Sequence, residues 1–214
     1  VFFGAGMGGY AACAFSVAAP GATVLALAPQ ATLDPRIAGW DTRFTDSRRI
    51  SFKGRYGYAP DMVEAAGEVY LAYDPSDHLD AMHAALFTKP CVRRLPCPNL
   101  GSEIVAPLSA IGIVPKLLVL AGEGQLSPAK FWQLYRGRRD YPPYLRNLLA
   151  RLGEDRPMLG AIACRNIIHR LDAPRFRTRL TQLEERLAAE GRTLPLRQAH
   201  KAALPELAPA DDAD

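Results

Sequence analysis

The sequence predicts an α/β protein: a parallel sheet of four strands carrying helices, followed by a helical C-terminal segment. Three observations predict this. TVLALA (23–28) and EVYLAYD (68–74) are unbroken apolar runs, the pattern of parallel strands buried on both faces. Helical stretches stand between the strands, in the order strand, helix, strand, loop, strand, helix, strand, helix. That alternation marks parallel strands joined by crossovers. Beyond about residue 125 the strand signals stop and only helical ones remain.

Taken in order, VFF (1–3) is the end of a first strand, and residues 7–19 form an Ala-rich helix stopped by Pro20-Gly21. Residues 30–60 read as irregular, with Pro35, Gly39, Gly54, Gly57 and Pro60. Within them Asp34 caps a turn before Pro35. Tyr56 and Tyr58 either pack this long loop or cover a pocket mouth. After EVYLAYD the loop PSDH leads into the helix LDAMHAALF (79–87), where His83 takes a packed or surface position one turn from Leu79 and Leu86. CVRRL (91–95) is a shorter strand, and PCPNLGS a loop. SEIVAPLSAIGIVPKLLVLAG (102–122) is an apolar helix or a pair of helices.

Ser127 caps the next helix and Pro128 opens it; Pro142-Pro143 breaks it, and PYLRNLLARLG runs to Gly153. PMLGAIACRNIIHRL and APRFRTRLTQLEERLAAEG follow, with Leu180, Leu183 and Leu187 on one face opposite arginines. The expected division is a sheet domain at 1–125, a basic helical appendage at 126–192 and a disordered acidic tail at 193–214. The aromatic–arginine mix FWQLYRGRRDYPPYLR is expected to dock the appendage onto the sheet domain.

At 214 residues the chain holds one domain and an appendage. Its 49% hydrophobic and 22% charged content is that of a globular protein. No apolar run reaches the roughly 18 residues a membrane span needs, so no membrane partner is expected. Cys13, Cys91, Cys97 and Cys164 form no CxxC pair, which points to reduced, buried thiols in a cytoplasmic protein. No ligand-spaced His or Cys pairs stand together, so neither a metal nor another cofactor is expected. Charge is uneven: residues 1–135 carry 11 Lys/Arg and 11 Asp/Glu, whereas residues 136–201 carry 15 against 7. These basic helices are either a solvated arginine face or a surface for an acidic partner. No helix-turn-helix or zinc pattern accompanies them, which argues against nucleic acid. The chain starts with Val1, three residues before the glycines, while strands usually run about five or six. The expectation is that strands preceding VFF are missing and that the open edge makes the chain associate.

The stretch GAGMGG, between the first strand and its helix, is the motif with most chemistry in it. Gly4, Gly6 and Gly9 satisfy G-x-G-x-x-G. A dinucleotide site also wants Asp or Glu at the end of the second strand, and here Ala28-Pro29-Gln30 stands there. The other strand–turn–helix motif is the nucleophile elbow, G-x-S-x-G. Aligned on Gly4 and Gly8, this sequence reads G-A-G-M-G, with Gly6 in the nucleophile position. The strand at 68–74 ends at Asp74, with Asp77 three residues on, where the acid of a triad belongs. The last strand leads into PCPNLGSEI, where a histidine is expected and Asn99 stands. His78 is either a rescue base beside Asp77 or an exposed loop histidine. Glycine offers no nucleophile and asparagine no base, and losing either costs about six orders of magnitude in rate. What survives is the pair of N–H groups of Met7 and Gly8 at a helix start, which suits a small carboxylate, phosphate or sulfate. The alternative is that these glycines serve only tight helix–strand packing.

On these residues the chain resembles the C-terminal part of the α/β-hydrolase fold: the elbow strand plus three further strands, over residues 1–120. More narrowly, GAGMGGYAACAFSVAAPGATVLAL, ATLDPR, RYGYAPDM, DAMHAALF and LYRGRRDYPPYLR are similar to an alphaproteobacterial family. Its members commonly carry the label phosphoadenosine phosphosulfate reductase, and the resemblance spans most of the chain. Reductases of that activity use a cysteine near the C-terminus as nucleophile. The last cysteine here, Cys164, sits mid-helix in GAIACRNII, and nothing resembles their adenylyl-binding loop. The function expected is that of a catalytically degenerate α/β-hydrolase-like protein with a binding or regulatory role. The alternatives are a reductase-type enzyme as the label states, and a dinucleotide-binding oxidoreductase.

Overall fold

In a computed structural model, which describes residues 1–101 and 103–195, four strands form one parallel sheet. They are β1 (Phe2–Ala5), β2 (Thr23–Leu27), β3 (Glu68–Tyr73) and β4 (Val92–Pro96), in the spatial order β1-β2-β3-β4. Phe2 pairs with Val24, Val24 with Val69, and Val69 with Val92, so side chains alternate in step across the sheet. The two central strands have almost no exposed residue, which is why their sequences are continuous apolar runs. β4 is an edge, and its Arg93 and Arg94 are exposed, as charged edge residues commonly are.

One face of the sheet is closed by α1 (Met7–Phe15), α3 (Ala59–Met62) and α4 (His78–Ala85). Val24, Ala26, Val69 and Leu71 pack there with Ala12, Cys13, Ala14, Val63 and Phe87. The small side chains of α1 let its axis approach the sheet closely. The helix ends earlier than its apolar pattern, at Phe15, and a 3₁₀ turn covers Ser16–Ala18. The irregular stretch holds only α2 (Pro35–Ala38), the 3₁₀ turn Thr45–Arg49 and α3, and Asp34 caps α2 as its sequence indicates. On the opposite face the Tyr70 hydroxyl donates to the Leu126 carbonyl at 2.6 Å.

The apolar segment after β4 is a pair of helices, α5 (Val105–Ala110) and α6 (Val114–Gly122), separated at Gly112, whose φ is +69°. Ser102, at the head of that segment, lies outside the described residues. α7 (Pro128–Tyr135) starts at the Ser127 cap, and α8 (Pro142–Leu152) follows a 3₁₀ turn.

The chain divides into two compact units, one ending at Gly153 and one starting at Glu154, not at residue 125. The physical reason lies in α7 and α8. Phe131 and Tyr135 are fully buried, the Asn147 amide donates to the Asn99 carbonyl, and the Arg151 guanidinium donates to the Ser76 hydroxyl at 2.7 Å. These helices complete the sheet unit, so FWQLYRGRRDYPPYLR belongs to it and is not an appendage docking onto it. The second unit contains α9 (Pro157–Arg170) and α10 (Pro174–Ala189). Leu180, Leu183 and Leu187 are buried, as are Ala161, Cys164 and Ile167 of α9. A side chain on Gly160 would come within 3.2 Å of Leu183. The acidic tail expected at 193–214 lies outside the described residues from 196 onward. Among the described residues no helix is long and apolar enough to cross a membrane.

Candidate functional site

Gly6 is the bend between β1 and α1. Its backbone lies at φ +52°, ψ −122°, in a region that favours glycine, and its N–H donates to the Leu27 carbonyl at 2.9 Å. The glycines around it are not equivalent. A Cβ on Gly4 would lie 2.1 Å from the Gly8 carbonyl oxygen, and one on Gly9 would lie 3.0 Å from Pro29. Gly8 faces open space, with nothing within 4 Å of such a Cβ. The close approach of helix to strand therefore depends on Gly4 and Gly9 and not on Gly8, the second flank of the elbow frame.

A hollow of about 310 Å³ opens at the carboxyl ends of β1 and β2, walled by Gly6, Ala28, Gln30, Arg43, Asp80 and Glu103 among others. Ala28 adopts φ +44°, a conformation that residues with a Cβ rarely hold. Gln30 is 3% exposed, and its Oε1 has no hydrogen-bond partner. A Cβ on Gly6 would come 3.9 Å from that oxygen. Met7 and Gly8 are exposed and are not among the wall residues.

Arg43 and Asp80 belong to a charged cluster whose carboxylates are buried and whose arginine is part-exposed. Arg43 donates through Nε and Nη2 to Asp41 and through Nη1 to Asp80, the last at 2.8 Å. The side chains of Asp41 and His83 have no solvent exposure. His83 Nδ1 accepts the Ala31 N–H at 3.1 Å, so the ring proton is on Nε2, which donates to Asp41 Oδ2 at 3.0 Å. Trp40 covers the imidazole, with ring centroids 4.5 Å apart. Burial raises the Asp41 carboxyl, but the Arg43 bonds outweigh it and hold the group at about 2. Burial pushes Asp80 up and His83 down. With both nitrogens engaged and its charged form disfavoured, His83 serves as neutral packing and not as a base.

A pH prediction follows from this histidine. Its pKa is lowered in the folded state, so its contribution to stability is complete above the ordinary value of 6.5 and is lost as pH falls through the lowered folded value. Melting temperature is expected to start falling once pH drops below that ordinary value. A flat profile on either side of it would contradict the buried, neutral assignment.

The other expected site residues gather elsewhere. Asp74 is buried and directly follows β3; its Oδ1 accepts the Ser76 N–H and its Oδ2 the Gly101 N–H, both at 2.8 Å. Asn99, at φ +69°, shares with Asp74, His78 and Arg151 a second, shallower hollow. Asp77 caps α4, its Oδ1 accepting from the N–H groups of Leu79 and Asp80. His78 is the exposed first residue of that helix. Asp74 and Asn99 thus line one hollow, while Gly6 borders a different one. Three of the four thiols are poor nucleophiles: burial pushes Cys13 and Cys97 up to about 12 and raises Cys164 as well. Among the described residues no group of three His, Cys, Asp or Glu side chains is placed to hold a metal ion.

Asp41, Arg43, Asp80, Gln30 and Ala28 are the residues that sequence reasoning missed. The available signal was a repeated D-x-R. Asp34 and Arg36, like Asp41 and Arg43, form a local turn in which the arginine N–H and side chain both bond the aspartate.

Fold and site together define a class: an α/β domain on a sequentially ordered parallel sheet, with a small polar hollow where its first two strands end. Open α/β sheets commonly bind ligands outside the carboxyl ends of their strands. No family model matches the chain, and neither a curated protein nor a solved structure does.

Proposed function

We propose that the chain is a catalytically degenerate α/β-hydrolase-type protein that binds a small ligand at its elbow and serves a binding or regulatory role. The observation that carries this is Gly6: a sharp strand–helix bend at positive φ with no side chain on it. Three features favour the hydrolase-type frame. The strands follow one another in order, Asp74 directly follows β3, and Asp74 is tied to the loop after β4. Membership in the alphaproteobacterial family belongs to the same proposal, as do a cytoplasmic location, a helical C-terminal appendage and an acidic partner for its arginines. A panel of short acyl esters should show no turnover by the full-length protein beyond that of Asp74→Ala. Gly6→Ser should not create any, because the site offers no free imidazole to take the proton. Ester turnover that Asp74→Ala abolishes would overturn the proposal.

A dinucleotide reading has one observation in its favour: Gly4 and Gly9, rather than Gly4 and Gly8, are sterically required. The strand order opposes it, because β4 lies beside β3 and not beside β1, so no switch-point crevice forms next to β1. The labelled reductase activity is opposed by the buried Cys164. Thermal shifts with NAD(H) and with adenosine 3′,5′-bisphosphate test the two, since a ligand that binds only the folded state raises its melting temperature. No shift is expected with either.

A further inference from the structure

We infer that the hollow beside Gly6 binds a small primary ammonium cation. The inference rests on the proposal that this hollow is a binding site, and it names the chemistry of the guest. The wall is rich in acceptors. Gln30 Oε1 is buried with no partner, although an amide oxygen withdrawn from water normally finds a donor. Asp80 is 3% exposed; its Oδ1 accepts from Arg43, and no described residue donates to its Oδ2. Glu103, an exposed acidic residue, lines the same wall. An ammonium group has three N–H donors and no acceptor, which suits a wall whose unpartnered polar groups are acceptors.

Charge selects the same guest. Among the described residues of the wall, Arg43 faces Asp80 and Glu103, and its guanidinium is already committed to Asp41 and Asp80. The opposing field is the N-terminal end of α1, roughly half a positive charge, so the two carboxylates outweigh the positive charge among the described wall residues. The backbone beneath is held at positive φ at both Gly6 and Ala28, and such conformations cluster where a site is built.

The test uses the full chain and three probes at matched ionic strength: ethylammonium, tetramethylammonium and acetate. Ethylammonium should raise the melting temperature and give a saturable titration by calorimetry. Tetramethylammonium has the charge without N–H donors and should do neither, and acetate likewise. Gln30→Leu should weaken ethylammonium binding at least about tenfold, the worth of one hydrogen bond to a charged group. It should also leave the unliganded protein's melting temperature equal or higher, because it removes an unpaired polar atom. Should Gln30→Leu not fold, Gln30→Glu decides, since an added carboxylate should tighten ethylammonium binding. The inference is overturned if ethylammonium does not bind, if tetramethylammonium binds equally, or if neither variant changes the affinity. Acetate binding in its place would overturn the ammonium assignment and leave a non-catalytic binding elbow. Ester turnover would remove that elbow reading whatever the probes do.

Discussion

Gly4→Ala is expected to cost about 3 kcal/mol or more, and so to lower the melting temperature by roughly 6–12 °C for a chain of this size. The added Cβ would lie 2.1 Å from the Gly8 oxygen, 2.3 Å from the Gly8 carbonyl carbon and 2.8 Å from the Gly9 nitrogen. All three are backbone atoms of the first turn of α1, so no side chain can rotate away. Relief requires the helix to leave the strand. Gly8→Ala is the control, since its Cβ meets nothing within 4 Å. It sits inside the first turn of a helix, where alanine is favoured over glycine, and should stabilise by about 0.4–1 kcal/mol. Melting curves of the two variants recorded side by side check the geometry of the bend. Equal destabilisation by both would mean that the strand and helix do not approach each other as described.

Much of the sheet was legible because parallel strands buried on both faces write their position as unbroken apolar runs. TVLAL and EVYLAY coincide with β2 and β3 to within a residue of their predicted ends. β1 was cut short at Phe3 because glycine signals a turn, yet Gly4 and Ala5 continue the strand in register with Ala26 and Leu27. Which glycines mattered was not legible: Gly9 meets Pro29, a residue twenty positions on, and only the folded chain brings them together. The same holds for α7 and α8. A helix without a strand after it reads as an appendage, whereas the burial of Phe131 and Tyr135 ties these helices to the sheet unit. The Asp77 cap and the Asp34 turn are local devices, and local devices survive in a sequence. The cluster of Asp41, Arg43, Asp80 and His83 joins two segments 37 to 42 residues apart, so the D-x-R at Asp41 and Arg43 shows its local half and nothing along the chain shows the rest.

That cluster gives the second large effect: Asp41→Ala should destabilise the protein by about 1–3 kcal/mol, the cost of leaving the buried His83 N–H without its acceptor while the part-exposed Arg43 guanidinium can still meet water. The aspartate side chain is fully buried and accepts from the Arg43 guanidinium and from His83 Nε2. Alanine leaves the guanidinium with Asp80 alone as its described carboxylate and leaves the buried imidazole proton without its acceptor. Asp41→Asn separates charge from shape, because it keeps an oxygen for His83 but withdraws the negative charge from Arg43. It should fall between the wild type and alanine. The acid side of the stability profile provides an independent readout. The Asp41 pKa is depressed to about 2 in the folded state, so its contribution is complete above the ordinary value of 3.8 and fades only as pH drops toward the folded value. In the wild type the His83 loss should therefore come first on acidification and the Asp41 loss second. Asp41→Ala should shrink the second step without removing it, because Arg36 holds the Asp34 carboxyl at about 2 as well. Trp40 fluorescence reports on the cluster directly, since its ring lies against His83. A variant that melts with the wild type and leaves both acid steps unchanged in size would show that Asp41 does not hold Arg43 and His83 as described.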